Sequence, residues 1–229
     1  MTGPVQAVIF DFDGLIVDTE MPEYLAWQAV YARYGWTFPL ASWLRNVGRN
    51  DSPFDPLRPF REAGGLMGPG DARALWQDEH ARLEREYLKP LPGVIPLLDR
   101  LAAGGIRAAV ASSSRRLRVR HLLSDLRLDG RFDALACGDE VPLAKPAPDV
   151  YLLAATRLAV PPRACVALED SEPGVRAAKA AGMPCIAVPS HLTRTMDFSA
   201  ADLIAPSLLD VSLDTIARVA RGMDPVPDG

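Results

Sequence analysis

Six short apolar runs are spaced along the sequence: AVIF (7–10), RAAVA (107–111), FDALA (132–136), ACVAL (164–168), PCIAV (184–188) and ADLIA (201–205). None alternates apolar with polar residues, as a strand with one wet face would. A strand that is apolar at nearly every position has both faces covered, which is the mark of a parallel sheet between two helical layers. The intervening sequence agrees with that arrangement, because 94–104, 114–125, 148–158, 173–181 and 208–220 all read as helices. Asp149, Ser171 and Ser207 stand where helix caps are expected. Gly182 closes the fourth helix, and Pro184 bars its continuation.

One interval departs from the pattern. Between the first run and Pro92 there is no convincing strand. Residues 19–34 carry Leu25, Ala26, Ala29, Val30 and Tyr34 at near-helical spacing, and 71–88 do the same with Leu75, Trp76, Leu83 and Tyr87. GRNDSPFDPLRPF and GGLMGPG between them read as turns. The expected fold is therefore α/β. A Rossmann-like parallel sheet core with helices on both faces comprises 1–17 and 91–229, and an all-helical cap is inserted at 18–90. All four tryptophans, Trp27, Trp36, Trp43 and Trp76, fall in the insert, which predicts a small core of its own. The terminal MDPVPDG reads as a frayed tail.

Composition narrows the classes of function. A net charge of −4 argues against a nucleic-acid binder that works through bulk electrostatics. The three cysteines, Cys137, Cys165 and Cys185, form no CxxC pair and sit in or beside apolar stretches. They read as small core residues in a reducing compartment. No segment is long enough to span a bilayer, so no membrane partner and a cytoplasmic location are expected, as a monomer or weak homodimer.

The chemistry lies just past the apolar runs, where ligands of open α/β sheets bind. Asp11 and Asp13 follow the first run; Ser112, Ser113 and Ser114 the second; Lys145 and PAPD the third; Glu169, Asp170 and Ser171 the fourth. In extended chain, residues two apart point the same way, so Asp11 and Asp13 share a side. Such paired carboxylates need compensation, for which Mg²⁺ is the natural partner, with Asp170 and Glu169 able to complete its shell. Ser112 and the amides opening the next helix form an anion site, and Lys145 adds positive charge. Taken singly, each feature is ordinary: a turn, a solvated helix start, a surface lysine, a cap. Together, at one sheet edge, they point to phosphoryl transfer.

DFDGLIVDTE, VASSS, KPAPDVY and LEDSEPGVRAAKAAGM resemble, in order and spacing, the four motifs of the haloacid dehalogenase superfamily. The subgroup most similar is that of the β-phosphoglucomutase-like phosphatases with a helical cap. The resemblance implies that Asp11 is the nucleophile and Asp13 the acid and base. It also implies that Mg²⁺ binds Asp11, the Asp13 backbone carbonyl and Asp170, with Glu169 nearby or acting through water. Ser112 and Ser113 would hold the phosphoryl group, Lys145 would neutralise its charge, and Arg49 in VGRND would touch the distal part of the substrate. Asp18, Thr19 and Glu20 would form one cap hinge and Leu88–Pro92 the other. The implied substrate is a small phosphorylated metabolite such as a sugar or polyol phosphate.

Relatives with other chemistry fit less well. Asp13 and Asp170 speak against haloacid dehalogenation. Phosphonatases need a cap lysine, and Lys89 at the exit hinge is the only lysine near the cap. β-Phosphoglucomutases carry a cap histidine where this chain has Glu23, which favours the phosphatase over the mutase. Receiver domains, which use a similar acidic cluster for signalling, lack both the insert and a counterpart of Asp13.

Overall fold

The computed structural model describes residues 4–47, 54–63 and 68–223. Strands β1 (Ala7–Phe10), β2 (Arg107–Ser112), β3 (Ala134–Cys137), β4 (Cys165–Glu169), β5 (Cys185–Ala187) and β6 (Leu203–Ile204) form one sheet. Every pairing is parallel, and the order is β3-β2-β1-β4-β5-β6. The helices are α1 (Glu20–Arg33), α2 (Leu40–Trp43), α3 (Arg58–Glu62), α4 (Pro69–Tyr87), α5 (Val94–Ala103), α6 (Arg116–Asp125), α7 (Asp149–Leu158), α8 (Glu172–Ala180) and α9 (Leu213–Ala220).

The apolar runs divide their side chains between two helical layers. Val8 and Phe10 of β1, with Val166 and Leu168 of β4, share a cluster with Leu97 of α5, Val119 of α6 and Ile216 of α9. Their neighbours Ala7, Ile9, Cys165 and Ala167 face Tyr151 and Ala154 of α7 and Val175 of α8. Burying one such Ile, Leu or Phe side chain contributes about 1.5–3 kcal/mol, which is why both layers persist although no strand among the described residues exceeds six residues. β1 lies between β2 and β4, so the chain leaves it first toward one edge and later toward the other. The crevice at that switch point opens beyond the carboxyl ends of β1, β2 and β4.

Between β1 and α5 the described residues contain helices and no strand. Trp27, Tyr31, Phe38, Trp43 and Phe60 form a separate aromatic cluster, with Trp36 and Trp76 packed against it. The Tyr31 ring meets Phe38 edge-on at 5.0 Å and Phe60 at 5.3 Å, and its hydroxyl donates to the Pro56 carbonyl at 2.8 Å. Leu192, from the loop after β5, is also buried in this cluster. Entry and exit of the insert lie side by side: Val17 bridges Pro90, and the Leu91 amide donates to the Ile16 carbonyl at 2.8 Å.

Several expected boundaries move, each for a local reason. The strand expected at 132–136 begins at Ala134, because the Asp133 carboxylate accepts the Ala108 amide (2.9 Å) and closes the entry to β3. The helix expected over 208–220 is two elements. Ser207 caps a 3₁₀ turn at Leu208–Asp210, and Ser212 caps α9 by accepting the Thr215 amide at 3.0 Å. Ser171 caps α8 as expected, accepting from Gly174, but Asp149 lies inside α7 and makes no cap. Part of the stretch read as turns is helical, since α3 covers Arg58–Glu62 with an Arg58–Glu62 pair one turn apart. Cys137, Cys165 and Cys185 are free and buried. No described helix is long and apolar enough to cross a membrane.

All four tryptophans report on the insert alone. Phe38→Ala is expected to lower stability by about 3–5 kcal/mol. Its unfolding midpoint by tryptophan fluorescence should fall below the midpoint by far-ultraviolet circular dichroism. Coincident midpoints would show that the aromatic cluster and the sheet unfold as one unit.

Candidate active site

β1, β2 and β4 end at one level, and each hands a polar side chain to the crevice. Phe10 of β1 is paired with Val110 and Leu168, so Asp11, Ser112 and Glu169 stand one or two residues farther along adjacent strands. Lys145 arrives from the segment before α7. Its ammonium donates to Asp11 Oδ1 at 2.5 Å, Glu169 Oε1 at 2.7 Å and the Ala111 carbonyl at 3.0 Å. Three N–H groups meet three acceptors, so the ammonium is fully satisfied. Lys145 and Glu169 are 2% and 0% exposed, and isolated charges at such depth would be prohibitive. Burial opposes the charge on Lys145, yet Asp11 and Glu169 outweigh it and hold the ammonium above its usual range.

Glu169 is occupied on both oxygens. Oε1 takes Lys145 and the Tyr151 hydroxyl (2.6 Å); Oε2 takes the amides of Asp170 and Ser171 and the Ser171 hydroxyl at 3.1–3.3 Å. Space for it exists because residue 174 is glycine: a Cβ there would stand 1.9 Å from Glu169 Oε1. These bonds make it the anchor of Lys145.

Asp11, Glu169 and Asp170 each offer an oxygen within 4.8 Å of the others. With all three ionised they carry −3 against the +1 of Lys145, a remainder of −2 that a divalent cation would neutralise. Asp170 Oδ2 is buried with no hydrogen-bond partner. Gly14, at φ +85°, lets the chain turn past it; a Cβ would lie 2.3 Å from that same oxygen. An orphaned buried carboxylate oxygen beside Asp11 fits a hard, oxygen-seeking ion such as Mg²⁺, held by Asp11 and Asp170. Burial pushes Asp11 up to about 8 against the pull of Lys145, with like-charged Glu169 and Asp13 adding to the rise; burial and Asp11 push Asp170 well up.

Asp13 points elsewhere. Oδ1 accepts from the Thr19 hydroxyl (2.7 Å) and Arg118 Nη1 (2.8 Å); Oδ2 accepts from the hydroxyls of Ser112 (3.1 Å) and Ser114 (2.7 Å). Burial disfavours its charge, but Arg118 and the hydroxyls of Ser114 and Thr19 prevail and hold the carboxyl below its ordinary value. Its side chain is thus committed away from the Asp11–Asp170 pair, leaving only its backbone carbonyl for an ion. Ser112 Oγ also accepts the Ser114 amide at 2.9 Å, and Ser113 is half-buried beside it. The structure thus brings together Asp11, Asp13, Ser112, Ser113, Lys145, Glu169 and Asp170, whereas Arg49 lies outside the described residues.

Sequence reasoning passed over the partners that hold these groups in place. Tyr151 lies in the KPAPDVY motif, six residues past Lys145, and carries a signal only through that spacing. Gly174 looked like one more helix residue. Arg118 lies among five arginines between 115 and 127 and had no local mark at all.

Comparison with known proteins agrees with the geometry. A family model described as haloacid dehalogenase-like hydrolase matches residues 5–182. The chain is 37% identical over 228 residues to Protein CbbY of Rhodobacter capsulatus, covering 94% of this chain and 99% of that one. It is 34% identical over 180 residues to the phosphorylated carbohydrates phosphatase of Thermotoga maritima, covering 78% and 82% respectively. The crystal structure of CbbY from Rhodobacter sphaeroides with xylulose-(1,5)-bisphosphate superposes with a TM-score of 0.67 at 30% identity, covering 90% of this chain and 96% of that one.

The carboxylate cluster makes a prediction about divalent ions. Asp11 is raised from 3.8 to about 8, so its ionised form costs stability; that cost is absent below 3.8 and full above about 8. In EDTA the melting temperature should therefore fall between pH 5.5 and 8.5. Adding Mg²⁺ should raise it by several degrees at pH 8.5 and by less at pH 5.5. An equal shift at both pH values would separate ion binding from these carboxylates.

Proposed function

Because the chain belongs to the haloacid dehalogenase-like hydrolases and is one of their phosphatases, we propose that it hydrolyses a sugar or polyol phosphate through an aspartyl-phosphate intermediate. The observation that carries this reading is the division of labour between Asp11 and Asp13, two residues apart. Asp11 is locked to Lys145 at 2.5 Å, while Asp13 is bonded on both oxygens on the side of Ser112, Ser114 and Arg118.

In this reading an Asp11 oxygen attacks phosphorus, and the bond from phosphorus to the substrate oxygen breaks. The departing alcohol takes a proton from Asp13. Water then attacks the aspartyl-phosphate, gives a proton to Asp13, and the bond to Asp11 breaks to release inorganic phosphate. Lys145 spreads its charge over Asp11 and the incoming phosphoryl oxygens; Ser112 and Ser113 hold that group in place. Mg²⁺, held by Asp11, Asp170 and the Asp13 carbonyl, would shield the phosphoryl charge from the carboxylates. Residues 18–90 act as the cap over a core made of 1–17 and 91–229, moving on hinges at Asp18–Glu20 and Leu88–Pro92. The substrate class is supported by the two relatives whose names and bound ligand are phosphorylated carbohydrates. Glu23, on α1, stands where a mutase would carry histidine, which favours release of phosphate to water.

Asp11→Asn is expected to abolish turnover while leaving the fold intact by far-ultraviolet circular dichroism. The assay is phosphate release with Mg²⁺ from sugar, polyol and nucleotide monophosphates, including β-glucose 1-phosphate. Wild-type rates in the variant would sink the nucleophile assignment. Glucose 6-phosphate formed with little free phosphate would mean a mutase. Asp13→Asn should slow alkyl phosphates by about 10²–10⁴-fold and aryl phosphates far less in kcat/KM, since only the alkyl alcohol needs a proton to leave.

A further inference from the structure

Arg118 belongs to α6 of the sheet domain, yet its two terminal nitrogens face carboxylates from different parts of the fold. Nη1 donates to Asp13 Oδ1 at 2.8 Å and lies 3.4 Å from Ser114 Oγ. Nη2 stands 3.7 Å from Glu84 Oε1 on α4, in the insert. Its helix neighbour Arg116 is committed elsewhere, to the Leu135 carbonyl and Glu140. The Arg118 side chain is 39% exposed, so it lies at the seam between sheet and insert and has room to shift.

The donors around Asp13 divide in an informative way. Oδ2 is held by Ser112 and Ser114, both on the segment leaving β2. Oδ1 is held by Thr19, one residue before α1, and by Arg118. One carboxylate oxygen is thus fixed to the sheet, and the other takes its geometry from groups tied to the insert. A guanidinium is a planar, rigid fork, so displacing the carboxylate on one prong tilts the other prong. Burial lowers the basicity of Arg118, but Asp13, Glu84 and Glu20 more than restore it, so the fork stays charged.

We propose that Arg118 is a positioning residue that transmits the place of the insert, sensed at Glu84, to the orientation of the Asp13 carboxylate. This rests on the reading of Asp13 as the proton donor. With Glu84 in reach, the fork is held on both prongs and, together with Thr19, fixes the Asp13 carboxylate in the orientation that meets the leaving oxygen. When Glu84 recedes, the fork turns on its Asp13 prong and takes the carboxylate out of line with that oxygen. The acid is then in place only when the insert is.

The test compares kcat/KM for 4-nitrophenyl phosphate with that for the fastest sugar or polyol phosphate of the panel above. This parameter reports events up to departure of the alcohol, the step in which Asp13 gives its proton. Arg118→Ala should cost about 10–100-fold on the alkyl ester and less than about threefold on the aryl ester, the scale of a misplaced but intact catalytic group. Arg118→Lys should recover part of the loss. Glu84→Gln should cost the alkyl ester severalfold. The double variant Arg118→Ala/Glu84→Gln should match Arg118→Ala alone, because Glu84 acts only through Arg118. Equal losses on both esters, additive losses, or a Glu84→Gln enzyme identical to wild type would each overturn the proposal. Should Arg118→Ala fail to fold, the ester ratio of Arg118→Lys and Glu84→Gln decides. A wild-type protein that hydrolyses neither ester would instead remove the phosphatase reading itself.

Discussion

The rest of the site depends on one buried ammonium. Lys145 sits between Asp11 and Glu169 with a carbonyl as its third acceptor, and each of the three groups is intolerable at that depth without the others. Losing one partner of such a buried pair costs about 3–5 kcal/mol, far more than exposed pairs such as Arg58–Glu62 contribute. The surroundings are arranged to hold this contact. Tyr151 and the amides opening α8 fix Glu169, the missing side chain at Gly174 leaves it room, and Glu169 fixes Lys145. Asp11 is thereby presented with its orientation already determined.

Two aspartates separated by one phenylalanine thus acquire opposite chemistry. Asp11 is enclosed by other carboxylates and one ammonium, so ionisation is hard for it until a cation arrives. Asp13 is enclosed by a guanidinium and three hydroxyls that favour its charged form, so it has to take up a proton before it can serve as the acid. Phe12, which separates them in the chain, is fully buried in the sheet core. The difference comes from which neighbouring strand each one faces.

The sheet was legible in the sequence because its strands are apolar on both faces and end in polar residues, a pattern that tolerates few folds. Asp11, Asp13, Ser112, Lys145, Glu169 and Asp170 were legible for the same reason: each stands one or two positions past a strand or within a motif. Boundaries were less so. Asp133 broke the start of β3 by a side-chain bond to a β2 amide, a contact 25 residues away in sequence. The α9 region hid two capping serines five residues apart, either of which satisfies the local pattern. Arg118 was invisible because its meaning depends on Asp13 and Glu84, which are 105 and 34 positions away.

Leu192 belongs to the loop after β5, yet its side chain lies in the aromatic cluster of the insert, with Met196 packed alongside. The proposed division of the chain at residues 17 and 91 therefore does not coincide with the division of its packing. A transplant that exchanged only 18–90 for the corresponding segment of a relative would bring a new socket to an old plug. The loop at 189–198 is a third splice point, and interchangeable inserts in this architecture have to travel with the loop that fits them.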